Sequence, residues 1–480
     1  MNYRMVFYII GYILRIEGGA MLLPALTGWI YLEEEGIAYV IAAGICLFAG
    51  TLLSIKKPKN TSIFAKEGFV ITSLSWIALS IFGALPMLMC GDITDYASAF
   101  FEVVSGFTTT GASIITDYTN ISHATNLWRC LTHWLGGMGL LVFMLAIIPM
   151  SGGQTMHIMK AESPGPVVGK LVPRMRQTAG ILYKIYFALT VVEVALLVIS
   201  GVPFFDSVCS TFATAGTGGF SISNAGFSEY SVASKVIITV FMLLFGVNFN
   251  TYYFILKKKF KEAFTAEEVI WYFVIYFISV VAITANIYNA GLFDSVPMAL
   301  HHASFNAASI MTTTGFAISD FNLWPDFSKF ILLLLMFIGA CAGSTGGGMK
   351  VPRVILLVKN VKKGLMQVIH PRSVKVVRLN GEKVDHETMR MVNVYFMSFI
   401  LVYVVSLLLI SIEGMGITTE FTAIAATINN IGPGFDAVGP MGNYSSFSSF
   451  SKIVLSFDML AGRLEMFPML ILLVPSTWKK

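Results

Sequence analysis

Four short runs of threonine and glycine recur along the chain, and their chemistry lies in the backbone. They read FFEVVSGFTTTGASIITD (100–117), STFATAGTGGFSIS (210–223), SFNAASIMTTTGFAISD (304–320) and FTAIAATINNIGPGFDAVG (421–439). The first and third align without a gap: Ser105 meets Ser309, and Thr108, Thr109, Thr110 and Gly111 meet Thr312, Thr313, Thr314 and Gly315. The second matches the third through Gly219 and Phe220, and the fourth through Ala426, Ile428 and Gly432 if one residue is deleted. Glycine at the repeated position permits the positive φ that turns successive carbonyls the same way. Four such runs around one axis would form a ring of oxygens able to replace the hydration shell of a monovalent cation. A single TTTG is as readily a close-packing surface; four related units in matching positions favour the ring.

The elements that must position these runs are membrane helices. The 480 residues are 56% hydrophobic and only 12% charged, with a mean hydropathy of +0.74, which is more apolar than a soluble core requires. The net charge of +5 is not gathered on one face, which argues against nucleic acid. The five cysteines are widely spaced inside apolar runs and fit neither a disulfide framework nor a zinc site. About ten stretches reach the roughly 20 residues a spanning helix needs: near 5–30, 37–55, 68–90, 126–150, 178–201, 233–256, 268–289, 328–358, 391–412 and 452–474. The first lacks a small-residue cleavage site and is expected to be a retained helix. Basic clusters fall in alternate connections: Lys56, Lys57, Lys59 and Lys66; Lys160, Lys170, Arg174 and Arg176; Lys257 to Lys259 and Lys261; the 359–390 segment; and Lys479 with Lys480. By the positive-inside rule these connections and both termini are cytoplasmic. Each Thr/Gly run then follows a half-length apolar helix on the opposite side, whose C-terminal dipole favours a cation. The expected architecture is an all-α polytopic membrane protein with four pseudo-symmetric helix, pore-loop, helix repeats around a central pore, plus two extra N-terminal helices.

One further run, AGSTGGGMKVPR (342–353), interrupts the eighth stretch. A phosphate loop requires lysine directly after its last glycine and then a hydroxyl, but Gly348 is followed by Met349, Lys350 and Val351. At 1.5 Å per residue the interruption falls near mid-membrane, where flexible residues could block or clear a pore. Arg463, near Asp458 and Glu465, is a charge at membrane depth, which faces either a cavity or a partner carboxylate. Glu102 and Glu193 are membrane-depth carboxylates, suited equally to ion binding or to a structural pair. His301 and His302 begin the third half-helix without other ligands at metal spacing, so packing or capping is expected of them.

The motifs SGFTTTGAS (105–113), TGGFS (217–221), TTTGF (312–316), NNIGPG (429–434), GACAGSTGGGMKVPRV (339–354) and AGRLEMFP (461–468) resemble the TrkH family of the Trk/Ktr/HKT superfamily of potassium transporters, over nearly the whole chain. The resemblance implies two N-terminal helices in 1–60 and pore repeats at 61–157, 158–263, 264–385 and 386–480. The third repeat would hold an intramembrane gating loop at 339–351 and a cytosolic linker. It implies a potassium filter at Thr109, Thr110, Gly111, Gly218, Gly219, Thr314, Gly315, Ile431 and Gly432. Gly216 competes with Gly219, which is preferred because its downstream residues match the third repeat. The fourth run has no threonine, and Pro433 follows its glycine. Gating residues would be Gly343, Gly346, Gly347, Gly348, Lys350 and Arg463. A glycine at 111 goes with potassium rather than sodium in this superfamily. The resemblance also implies a bacterial inner-membrane location, a homodimer, and cytosolic TrkA-type nucleotide-binding subunits; this chain has no dinucleotide fingerprint of its own. Contact with membrane lipids is expected, potassium is the transported ion, and no covalent cofactor or enzymatic activity is expected. A tightly coupled proton or sodium symporter remains an alternative, as does, from another class, a membrane ATPase component.

Overall fold

The computed structural model describes residues 1–58, 63–139, 175–372 and 375–479, with the side chains of 175–178 excepted. The expected boundaries at 60/61 and 157/158 lie outside the described residues. So do Lys59, Lys160, Lys170, Arg174 and Lys480, the end of the expected 126–150 span, and the side chain of Arg176.

The N-terminal pair comprises α1 (Tyr3–Ala20), continued by α2 (Leu22–Ile30), and α3 (Glu35–Ser54). Without apolar solvent exclusion to drive them together, membrane helices associate where small residues let backbones approach. A Cβ at Gly11 would lie 2.6 Å from the Gly50 carbonyl, and one at Gly18 would lie 2.9 Å from that of Ala43. The pair packs through α1 on α4 (Ala65–Gly83) and through α2 on the later helix α7 (His123–Gly137). The outward face of α3 leaves Ile37, Ile41, Phe48 and Leu52 exposed, as a lipid-facing surface should.

Each repeat then supplies a long helix, a short pore helix, a pore loop and a second helix. Repeat 1 has α4, the short α5 (Leu85–Cys90), the pore helix α6 (Tyr96–Phe107) and α7 (His123–Gly137). Repeat 2 has α8 (Met175–Ile199), α9 (Phe204–Gly216), α10 (Val232–Gly246), α11 (Phe249–Leu256) and the small α12 (Phe260–Phe264). Repeat 3 has α13 (Glu267–Asn289), α14 (Val296–Met311), α15 (Asp326–Ile338) and α16 (Val351–Ile369), then a hairpin of β1 (Arg378–Leu379) and β2 (Glu382–Lys383). Repeat 4 has α17 (His386–Ile410), α18 (Ile417–Ile428), α19 (Ser449–Arg463), α20 (Phe467–Leu472) and α21 (Pro475–Trp478). Pore helices start on capping side chains where the sequence provides them: Asp95 accepts from the Ser98 N–H and Ser295 from the Met298 N–H.

The expected apolar stretches are not all single unbroken helices. Among the described residues six helices are long and apolar enough to cross a membrane, and a seventh span exists only if α10 and α11, bent by 91°, are counted together. The 233–256 stretch breaks at Val247 and Asn248, the 328–358 stretch at Gly339–Lys350, and the 452–474 stretch at Leu464–Met466, where Glu465 and Met466 adopt positive φ. Hydropathy averages over such breaks, whereas the backbone does not. The described part of α7 likewise ends at Gly137.

Behind the first two pore loops lies a buried ion pair. Arg129 on α7 meets Glu102 on α6 at 2.8 Å, both side chains fully buried. Glu102 also accepts from the Ser113 hydroxyl and the Ile114 N–H, each at 2.9 Å, so it fixes the chain just past Gly111. Arg129 donates to the Ser221 carbonyl at 3.0 Å and lies 4.1 Å over the Phe220 ring, fixing the chain just past Gly219. Glu102, open to either reading in the sequence, is thus a structural partner. Breaking such a pair strands a charge in low dielectric, so Arg129→Ala is expected to cost about 3–5 kcal/mol, read as a lowered melting temperature of the solubilised protein. An unchanged melting temperature would remove the pair from its anchoring role.

Candidate functional site

The four pore helices end in loops of one backbone pattern. Thr109, Thr217, Thr313 and Asn430 have φ of 55°, 56°, 60° and 55°, and two residues later Gly111, Gly219, Gly315 and Gly432 have φ of 81°, 75°, 85° and 97°. The register equates Gly219 with the other three, while Gly216 is the last residue of α9. Three of the four left-handed positions before the glycines hold threonine, a strained choice for a β-branched residue.

The loops also close on one another. A Cβ added at Gly111 would strike the Gly218 carbonyl, at Gly219 that of Thr314, and at Gly315 that of Ile431; at Gly432 it would lie 2.8 Å from the Thr110 carbonyl. Each glycine therefore abuts the residue before the equivalent glycine of the next repeat, and the circuit returns from repeat 4 to repeat 1. All four glycines line one vestibule, along with Tyr118 and Asn224. Asn224 accepts from the Tyr118 N–H at 2.8 Å and donates to Asp117 at 2.7 Å. That amide, with the Thr119 N–H and hydroxyl, holds the exposed Asp117 carboxyl below the usual carboxylate range, which keeps a negative charge near the mouth.

The sequence reading missed what supports the second and fourth loops. His133 is buried with Nδ1 2.8 Å from the Gly106 carbonyl and Nε2 3.3 Å from the Phe220 N–H. A carbonyl only accepts and an amide only donates, so the network assigns a neutral ring with its proton on Nδ1. Gly218 packs on this ring, where a side chain would collide. In repeat 4, Asn430 donates to the Thr110 hydroxyl at 3.0 Å and to the Met459 carbonyl at 2.9 Å, and Tyr444 donates to the Gly432 carbonyl at 2.7 Å. The absence of threonine from NNIGPG is thus met by an amide that ties the fourth loop to the first. Repeats 1 and 3 share an internal brace, the Thr108–Thr110 and Thr312–Thr314 hydroxyl pairs at 2.8 Å. Thr109 Oγ1 and Asn430 Oδ1 are buried with no hydrogen-bond partner among the described residues. A lone histidine or asparagine in an apolar run carries no sequence signal for such roles.

Below the loops, on the face away from the vestibule, lies the glycine-rich segment. The Gly347 N–H donates to Thr313 Oγ1 at 2.6 Å, the Gly348 N–H donates to the Asn429 carbonyl at 3.0 Å, and Gly346 packs on the Thr312 carbonyl. Gly343 has φ of 66°, and its carbonyl accepts from the Phe249 N–H at 3.0 Å. Lys350 is buried, has φ of 74° and donates from Nζ back to the Gly346 carbonyl. Arg463 reaches the segment from repeat 4: it donates to the Thr345 carbonyl at 2.7 Å and to the Gly136 and Gly137 carbonyls at 2.6 and 2.7 Å. The carboxylates considered as its partners are engaged elsewhere, Glu465 with Arg353 and Asp458 with Ser406. The geometry thus gathers Gly343, Gly346, Gly347, Gly348, Lys350 and Arg463 in one place.

Other candidates separate from this site. Glu193 is buried on α8, which packs against α9. His301 and His302 lie in the second turn of α14, not at its start; of the packing or capping expected of them, His302 shows packing, stacked on Phe293 at 4.5 Å, while Ser295 caps the helix. Among the described residues no group of three or more His, Cys, Asp or Glu side chains is arranged to hold a metal ion.

Comparison with known proteins finds relatives over the full length of the chain. The TrkH family model, described as cation transport protein, matches residues 36–480. The Trk system potassium uptake protein TrkH of Escherichia coli (strain K12) is 34% identical and that of Halomonas elongata is 32% identical, each alignment covering 100% of both chains. The crystal structure of the potassium transporter TrkH from Vibrio parahaemolyticus superposes with a TM-score of 0.89 at 32% identity, covering 100% of both chains. Full-length similarity in sequence and fold places this chain in the TrkH family of cation transport proteins, which are transporters rather than enzymes.

Proposed function

We propose that this protein carries potassium into bacterial cells across the inner membrane, through a channel-like pore. The observation that carries this reading is the closed circuit of four loops, in which every glycine abuts a carbonyl-bearing residue of the next repeat. The carbonyls at Thr110, Gly218, Thr314 and Ile431 and those of the following glycines form the filter, and the Thr109 hydroxyl extends it inward. Carbonyl dipoles in this number exchange for the water around a weakly hydrated monovalent cation. The pore-helix C-termini add a negative field. Full-length relatives named as potassium uptake proteins support potassium as the ion.

The segment 343–348 serves as the gate, since it fills the space directly beneath the filter and is held there by Thr313, Asn429 and Arg463. Lys350 closes it by bonding to Gly346. Arg463 adds a positive charge that opposes cation entry until the segment moves. Both termini face the cytoplasm, the protein works as a homodimer in contact with lipid, and a cytosolic TrkA-type nucleotide-binding subunit regulates it.

Three measurements test the reading. Purified protein in vesicles should pass a current that reverses at the potassium equilibrium potential; a reversal set by the proton or sodium gradient would replace the channel with a coupled symporter. Gly111→Ser forces a side chain onto the Gly218 carbonyl at a positive φ. A strain of about 1.4 kcal/mol at this position corresponds to a tenfold change, so potassium-over-sodium preference should fall about tenfold or more. Undiminished preference would remove Gly111 from the filter. Deleting 343–348, or replacing Arg463 with Gln, should raise basal potassium flux by roughly tenfold, the loss of one or two charge-assisted bonds at the closed state. Folded variants with wild-type or lower flux would end the gate assignment.

A further inference from the structure

The gate segment has a second anchor, away from the pore, that neither the sequence motifs nor the filter geometry assigns. Two adjacent glutamates open α13, and they face different parts of the molecule. Glu268 accepts the backbone N–H of Ala342, at the start of the glycine-rich segment, and on its other oxygen the Asn248 side-chain amide at 3.3 Å. Asn248 sits at the break between α10 and α11 and lies against Gly343. The same corner is drawn together by the Cys341 N–H on the Gly246 carbonyl at 3.1 Å. Glu267 faces outward. Its side chain pairs with Lys359 on α16, and its N–H donates to the Asn380 side chain at 2.8 Å. Lys359 in turn donates to the Arg378 carbonyl at 2.9 Å.

Asn380 and Gly381 form the turn of the β1–β2 hairpin, with φ of 53° and 80°, the conformation that Asn-Gly favours in a two-residue hairpin. The hairpin is seated by a small apolar cluster of Leu356, Val377 and Val392 between α16 and α17. One helical turn therefore touches the hairpin through one glutamate and the gate segment through the next.

We infer that Glu268 is a positioning residue for the gate and that Glu267 couples it to the hairpin, so that displacement of the hairpin is transmitted to residue 342. The inference rests on the reading of 343–348 as the gate. The carboxyl group at 268 suits the task because its two oxygens accept from two elements at once, one of them through a backbone N–H. Movement of the hairpin acts on α13 at its first turn, where the helix N–H groups lack intrahelical partners and take outside ones.

The experiment is potassium efflux from vesicles holding the full-length protein. Four variants are compared with wild type: Glu268→Ala, Glu268→Gln, the 343–348 deletion, and the deletion combined with Glu268→Ala. Glu268→Ala should raise efflux by roughly tenfold, and Glu268→Gln, which keeps one acceptor oxygen, by less. In the deletion background Glu268→Ala should add nothing, because the segment that its bond to Ala342 positions is gone. A merely structural glutamate would lower the melting temperature and act equally in both backgrounds, and that additivity would overturn the inference. Wild-type efflux in both single variants, with the deletion still raising flux, would overturn it as well and leave the gate standing. If the deletion itself fails to raise flux, the gate reading falls, and this inference with it. For the outward arm, Lys359→Gln with Asn380→Ala should raise efflux in the native background and not in Glu268→Ala; a rise in both would break the proposed series.

Discussion

A backbone amide or carbonyl inside a bilayer has no water to bond with, and the pore loops and the glycine-rich break of this protein answer to that constraint. Four loops leave the ends of their pore helices and pack against one another, which is how irregular backbone becomes tolerable away from water. The closure of the circuit from repeat 1 to repeat 4 follows. So do the side chains behind it: His133 takes the Gly106 carbonyl and the Phe220 N–H, Asn430 bridges to Met459, and Glu102 takes the Ile114 N–H. The polar residues behind the loops are there to satisfy backbone, and the ring geometry is set by how they do it.

The same constraint explains the glycine-rich break. Twelve residues outside any helix persist between α15 and α16 because neighbouring elements supply partners for many of them. Ala340 accepts from Val351, Gly246 from Cys341, Phe245 from Thr345, Asn429 from Gly348 and Gly343 from Phe249. Arg463 closes the set by donating to Thr345 and to the buried Gly136 and Gly137 carbonyls at the end of α7, which suits a cation at a helix C-terminus. A segment held by many single bonds from different repeats is ordered, yet no one of those bonds is expensive to exchange.

Much of this was legible in the sequence, for identifiable reasons. Hydropathy exposed the long helices because spanning requires about 20 apolar residues whatever the packing. The loop register was visible because positive φ selects glycine at 111, 219, 315 and 432. The mid-membrane depth of the run 343–348 followed from its distance along the helix, whereas the placing of Arg463 beside it came only from the resemblance to the family. What stayed hidden lacked periodicity or a required residue type. The breaks at Asn248 and Glu465 were averaged into apolar windows. His133 and Arg129 act through partners about 90 residues away, and Glu268 acts through a backbone N–H 74 residues away. No local pattern encodes such distances.

The fourfold likeness of the loops is sharper in backbone than in side chains. Threonine is replaced by asparagine in repeat 4, a histidine bridges repeats 1 and 2, and an ion pair backs the same two repeats. What the four share is four missing Cβ atoms, each of which would intrude on the next repeat. Duplicated segments of one chain can thus drift toward quite different chemistries while remaining congruent, provided the drift never adds an atom at those four places. The symmetry of the pore is kept by an exclusion, and a chain that obeys it gains four unlike walls around a common opening.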